Sequence, residues 1–279
     1  MLEKMIYKGE LRKMPVVLND ENVVQYGLKL FDTATGAEQL IAMNELIGKN
    51  ISMAFEGCIF CINCGRKTKT SFAQGFCFPC FKNSPENSEC IIRPELCRAH
   101  LGEGRDPEWE EEHHNKPHYV YLAATDKVKV GITRDHQIPT RWIDQGANAA
   151  IKLAKTPNRY LAGVIEVALK DTFDDKTNWQ LMLKNETDDS IDLLETKHQL
   201  EMLLPADIAA YICDEDAITR MTYPVIQYPS RVKTINLDKK RAFSGKLLGI
   251  KGQYLILDDN RVINIRKYAG YEVEVGVQE

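Results

Sequence analysis

Between residues 118 and 170 the chain alternates apolar with polar positions and then changes to a helical period. Tyr119 to Ala123 and Val128 to Ile132 are β-branched and aromatic, and Thr125-Asp126 between them is a turn signal, so a tight hairpin is predicted. A short helix should follow, with Pro139 in its first turn, Arg141, Trp142, Ile143 and Gln145 within it, and Gly146 as its stop. Ala150 to Ala154 alternates as a third strand, after which Leu161, Val164, Ile165, Ala168 and Leu169 recur at helical spacing. The expected order is strand, strand, helix, strand, helix.

The flanks carry other periods. Residues 1–57 read as short strands, with β-rich runs at Val16 to Leu18 and Val23 to Phe31, a turn at Thr35-Gly36, and a half-buried strand from Ile51 to Phe55 that stops at Gly57. After Lys170 the pattern is helical and acidic. Trp179, Leu181, Met182 and Leu183 keep the apolar spacing, and Asp188-Asp189-Ser190 can cap a helix whose inner face is Ile191, Leu194, His198 and Met202. Pro205 ends that helix, and Pro205 to Cys213 reads as another. From residue 223 strands return at 247–257, 262–265 and 271–275, with Asp258-Asp259-Asn260 as a turn and glycines that suit the bends of a small barrel. The two β-rich ends could share that barrel. The class expected is α+β, divided into a β-rich segment (1–57), a metal-binding module (58–117), a small three-stranded α/β core with a helical extension (118–204), and a terminal helix with a small β-barrel (205–279).

Size and composition narrow the setting. With 279 residues, 44% of them hydrophobic and 27% charged, the chain should form two or three globular units. It has no apolar run of about eighteen residues, the length a membrane span needs, and Met1 to Lys13 lacks the apolar stretch of a secretory signal. A cytoplasmic protein without a membrane partner is expected. The net charge of −4 conceals an asymmetry: residues 118–170 carry eight Lys/Arg against four Asp/Glu, and 230–279 carry ten against six, whereas 171–217 carry three against thirteen. Two basic regions flanking an acidic one point to an anionic partner met by a face of the molecule. Lys251, Arg266, Lys267, Tyr254, Tyr268 and Tyr271 mix bases with aromatics as a nucleic-acid surface would.

The cysteines supply the strongest motif. Cys61 and Cys64 form one CxxC, Cys77 and Cys80 another, with twelve residues between them. Two tight loops of this kind present four thiolates to one ion, which predicts a structural zinc site in a zinc-ribbon-like module. Cys58 is a candidate substitute ligand and otherwise a small buried residue. A second cluster follows. Cys90, Cys97 and His100 could complete a Cys/His site with one of His113, His114 and His118; the competing reading is a histidine-rich surface loop beside Glu110-Glu111-Glu112.

The element order of residues 118–170, together with Tyr119-Val120-Tyr121, Lys129-Val130-Gly131, Arg141 and Glu166, resembles the GIY-YIG nuclease domain. The resemblance covers about a fifth of the chain, residues 118–170. It places Tyr121 on the first signature tyrosine, Arg141 on the arginine that contacts phosphate and Glu166 on the magnesium ligand. A lysine, Lys129, stands where the second signature has tyrosine. The resemblance implies a metal-dependent phosphodiesterase or endonuclease acting on DNA or RNA, with Tyr119, Tyr121, Lys129, Arg141 and Glu166 as site residues. Phosphodiester hydrolysis asks for an oriented water, charge on the phosphoryl oxygens and a cation near the leaving group. Arg141 can give two parallel donors, Glu166 can hold a hydrated magnesium ion, and Tyr121 or Lys129 could take the proton. Trp142, Asp144 and Gln145 share the short helix and could line the cleft. Glu166 stands among Val164, Ile165, Val167 and Ala168, where an unpaired charge is costly, so a metal or Arg141 is expected beside it. The alternatives are a module with the same cleft that binds nucleic acid without cutting it, and a zinc-stabilised interaction scaffold.

Overall fold

The computed structural model describes residues 4–32, 34–170, 178–187 and 190–278. They belong to two compact units, Met1–Lys82 with Thr222–Glu279, and Asn83–Met221. Boundaries therefore fall at 82/83 and 221/222, where the sequence reading divides the chain at 57/58, 117/118 and 204/205. The first unit is built from both ends of the chain, and the second is continuous.

Along the chain the first unit begins with β1 (Lys4–Leu11), β2 (Val16–Leu18), β3 (Val24–Phe31), β4 (Glu38–Ala42), β5 (Asn50–Phe60) and β6 (Lys67–Thr68), followed by α1 (Phe78–Asn83). The second unit holds α2 (Pro107–His113), β7 (His118–Ala124), β8 (Val128–Arg134), α3 (Thr140–Asp144), β9 (Ala149–Thr156) and α4 (Arg159–Lys170). It continues through α5 (Trp179–Lys184), α6 (Leu193–Leu203), α7 (Ala206–Ala209) and β10 (Thr219–Arg220). The chain then returns to the first unit with β11 (Lys233–Thr234), β12 (Ala242–Lys251), β13 (Tyr254–Leu257), β14 (Arg261–Asn264) and β15 (Tyr271–Gln278). The class is α+β. Among the described residues no helix is long and apolar enough to cross a membrane.

In the first unit the strand order is β11-β14-β13-β12-β5-β15-β1-β3-β2, with β4 on β3 and β6 on β5. The chain ends do share one sheet: β1 and β15 run antiparallel from Lys4 opposite Gln278 to Glu10 opposite Glu272. The expected barrel is corrected to an open sheet, since β11 and β2 stand at opposite ends of the path. Those end strands have two and three residues, too few for the ladder that closure would need. Alternation along β15 sends Val273, Val275 and Val277 inward.

The residues expected to form a C-terminal nucleic-acid surface divide: Lys267 is exposed and Tyr254 and Arg266 are half-buried, whereas Lys251, Tyr268 and Tyr271 are buried. Lys251 is fully buried, with its Nζ 5.0 Å from the Tyr223 ring centre and 5.7 Å from that of Tyr228. Tyr268 and Tyr271 are buried; the Tyr268 hydroxyl accepts from Leu237 N at 3.2 Å, and that of Tyr271 donates to the exposed Asp238 at 2.8 Å. Aromatic and basic residues on a strand serve burial as readily as binding, and pattern alone does not separate the two.

In the second unit the order is β10-β9-β7-β8, with β7 antiparallel to both its neighbours. β7, β8, α3, β9 and α4 follow in the expected sequence. Asn158 caps α4 by accepting from Leu161 N at 3.0 Å, and Gly146 leaves α3 in the left-handed region at φ 73°. Val120 and Leu122 of β7, Val130 of β8 and Ile151 and Leu153 of β9 pack with Ile165 and Leu169 of α4 and with Leu193 and Leu200 of α6. The Asp188-Asp189 part of the expected cap lies outside the described residues, and Asp192 caps α6. The inner face of α6 is Leu193, Lys197 and Leu200, while Met202 is 80% exposed and His198 also faces outward. Lys197 goes inside because its ammonium meets Cys213 O at 2.6 Å, Glu215 O at 3.0 Å and Asp216 Oδ1 at 2.7 Å. A hydrophobic template assigns such a lysine to water.

Candidate functional site

Tyr121 organises the candidate site. It pairs with Gly131 across β7 and β8, and its phenol lies over that glycine: a Cβ at 131 would stand 2.6 Å from the hydroxyl oxygen. The ring packs edge-on to Trp142 of α3, and the hydroxyl donates to Gln145 Oε1 at 2.9 Å. Burial is the largest influence on this hydroxyl and raises its pKa. The Arg141 guanidinium, acting by charge and at hydrogen-bonding range, and Gln145 pull the other way, while the Glu166 carboxylate adds to the rise. The phenol therefore keeps its proton at neutral pH. Arg141 and Glu166 are both half-buried, the first on α3 and the second on α4.

The charges of Arg141 on α3 and Glu166 on α4 are thus both felt at the Tyr121 hydroxyl on β7. The other two residues singled out by the sequence stand on β8 and β7. Lys129 is half-buried opposite Ala123, and Tyr119 is 7% exposed opposite Thr133. By strand alternation both lie on the same side of the sheet as Tyr121. Two lysines that the sequence reading passed over border Tyr119: Lys152 Nζ is 5.1 Å and Lys155 Nζ 5.3 Å from its ring centre. Strand alternation sets residues 152 and 155 on opposite faces, and only the register shift between β7 and β9 brings them opposite Tyr121 and Tyr119. A hydrogen bond with Tyr119 is the largest cause of a raised Lys155 pKa, and one with Glu215 the largest for Lys152, so both remain cationic. Lys152 is paired with Glu215 at 3.0 Å, while a guanidinium such as Arg141 can receive a phosphate and a carboxylate such as Glu166 a hydrated divalent ion.

The four-cysteine group lies in the first unit. Cys61 and Cys64 close the β5–β6 hairpin, where Gly65 turns at φ 68° and its N–H donates to Cys61 O; Cys77 and Cys80 open α1. Their sulfurs all lie within 4.8 Å of one another, so the group could hold a metal ion. Cys64 Sγ and Cys77 Sγ are 3.8 Å apart. A tetrahedral ion with metal–sulfur bonds of about 2.3 Å has sulfur–sulfur edges of about 3.8 Å, so the donors fit zinc. Desolvation opposes ionisation of Cys61, but backbone N–H groups of Cys77, Cys64 and Asn63 outweigh it and bring the thiol down to about 7. Asn63 favours ionisation of Cys80, whereas burial and the other three thiols push it up to about 12. Cys58 is half-buried on β5 and outside the group.

The second group differs in membership from the expected one. Cys90 and Cys97 are joined by Glu110 and His114 of the α2 region, with all four buried and their donor atoms within 4.8 Å. His100 is not among them, because its ring stacks on Tyr160 at 4.6 Å. His113 stacks on Trp109 at 4.0 Å and is hydrogen-bonded to Trp109 O. His118 is buried, bonded through Nδ1 to Lys116 O, and held neutral by desolvation, which brings it down to about 3. Glu110 was read as part of an exposed acidic run. The i, i+4 relation of Glu110 to His114 was the signal that could have found it.

A family model described as a protein of unknown function (DUF2797) matches residues 48–273, and the chain belongs to that family. No curated protein and no solved structure matches it.

Proposed function

We propose that this member of DUF2797 acts on nucleic acid through a divergent GIY-YIG-like core, with Arg141 holding a backbone phosphate and Glu166 a hydrated magnesium ion, and that zinc fills the four-cysteine group. The observation that supports the reading is that the Tyr121 hydroxyl, bonded to Gln145 at 2.9 Å, lies within electrostatic reach of both Arg141 and Glu166. Lys152 and Lys155 extend the positive surface along which a strand would lie. When bound, magnesium supplies positive charge beside the scissile phosphate. Arg141 gives parallel donors to the non-bridging oxygens, and Tyr121, kept protonated by burial, positions Gln145 and the guanidinium. Lys129, half-buried two residues from Gly131, could take a proton from water only as the neutral amine. Cysteines that serve as metal ligands suit a reducing compartment, which supports the cytoplasm.

Magnesium-dependent cleavage of a panel of single- and double-stranded DNA and RNA should be seen with the full chain and lost in Glu166→Ala, whose circular dichroism stays native. A second reading is favoured by the full burial of Tyr121 and by the lysine at 129: the same site binds nucleic acid without turnover. It requires salt-sensitive binding weakened by Arg141→Ala, with no product at any magnesium concentration. Absence of affinity for every member of the panel would remove both readings.

A further inference from the structure

We infer that Cys90, Cys97, Glu110 and His114 form a second, mixed-ligand zinc centre whose role is to fix the start of α4, the helix that carries Glu166. The centre stands on its own donors, and only the consequence for Glu166 rests on the function proposed above.

All four side chains are at least nine-tenths buried, and they come from separate places: a turn at Cys90, another at Cys97, and α2 with its cap. Cys90 Sγ is 3.7 Å from His114 Nδ1 and 4.0 Å from Glu110 Oε2. A tetrahedral zinc ion with bonds of about 2.3 Å to sulfur and about 2.0–2.1 Å to nitrogen or oxygen has mixed edges of about 3.6 Å. The His114 Nδ1 to Glu110 Oε2 distance of 2.7 Å is a hydrogen bond, and it would open by some tenths of an ångström around an ion. Two thiols, an imidazole and a carboxylate suit zinc by softness and by number. Arg159, the nearby cation, directs its guanidinium to Cys90 O at 2.9 Å and Ile91 O at 3.0 Å, so it braces the ligand turn. A buried carboxylate beside two thiols calls for a positive partner, and an ion supplies it.

The same turns are seated on α4. Arg159 N donates to His114 O at 2.8 Å, and His100 stacks on Tyr160. The turn Pro94–Leu96, lying between the two cysteines, passes so close to the helix that a Cβ at Gly163 would stand 2.3 Å from Glu95 N. The ligand-bearing segment therefore grips α4 at 159, 160 and 163, one turn before Glu166. Metal at Cys90, Cys97, Glu110 and His114 holds that segment closed, and the helix keeps its place.

Zinc content and X-ray absorption at the zinc edge of the full-length protein test the centre. The expected result is two zinc ions per chain with a mean shell of three sulfurs and one nitrogen or oxygen. A single ion in an all-sulfur shell would overturn it. Glu110→Ala should lose one ion and keep the all-sulfur site, and Cys64→Ser should lose the other and keep the mixed site. Hydrogen exchange of the α4 amides tests the anchoring: it should quicken at least about tenfold in Glu110→Ala, through local opening, and not in Cys64→Ser. Unchanged exchange in a variant lacking the mixed-site ion refutes the anchoring role. If Glu110→Ala does not fold, stepwise removal of zinc from the wild type by a chelator reads the same pair of quantities. None of these measurements involves nucleic acid, so their outcome is separable from that of the cleavage assay.

Discussion

The two ligand groups stand at opposite extremes of how a chain can assemble a site. In the first unit four cysteines come from two short loops, with Cys61 and Cys77 buried and Cys64 exposed. In the second, every ligand is buried, the partners are drawn from turns and a helix, and the segment is packed on a core helix. A site made from chain neighbours can fail locally. One made from packed partners takes its surroundings with it.

That contrast can be broken most directly by removing one ligand from each group. His114→Ala should lower the stability of the second unit by about 3–5 kcal/mol, because it strands the buried Glu110 carboxylate; denaturant unfolding followed by Trp fluorescence measures it. Cys64→Ser should instead loosen residues 61–80 and leave that transition in place. Equal losses would dissolve the distinction.

Packing in the second unit offers the next test. Gly131→Ala drives a methyl group into the Tyr121 phenol and should cost about 1–3 kcal/mol by overpacking. Combined with Tyr121→Leu, which clears the contact, the cost should fall below the sum of the two single changes.

The buried lysines sharpen the comparison by pH. Lys251 in the first unit sits between tyrosine rings, and burial brings it down to about 7 from 10.5. Because the unfolded chain binds this proton more readily, the penalty is complete below pH 7 and fades as the pH rises to 10.5, with stability gaining at most about 1.4 kcal/mol per unit. Lys251→Met should flatten that slope in thermal melts. Lys197→Met in the second unit should destabilise it, since three oxygens would then face an apolar tip. The smallest effect on stability is expected for Arg141→Ala, about 1 kcal/mol for a half-buried group at hydrogen-bonding range of Tyr121. Its readout is nucleic-acid binding, whose log–log salt slope should fall by about one.

Legibility followed the distance over which residues cooperate. The CxxC pair, the hairpin from Tyr119 to Ile132 and the amphipathic face of α4 depend on neighbours a few positions away, and each was readable. Lys197 as an interior residue and the burial of Lys251 were not, since each is polar and its surroundings come from elsewhere in the fold. The barrel expected from the terminal glycines failed for a related reason, because closure depends on which strands end the sheet.

Alone, the sequence determined the periods of strands and helices and the spacing of the four cysteines, both set by local backbone geometry. Only the tertiary structure decided that both chain ends enter one open sheet, that Glu110 rather than His100 joins the second group, and that the Tyr121 hydroxyl is buried against Gln145. Burial and long-range pairing make those choices, and they act between residues that one-dimensional patterns do not connect.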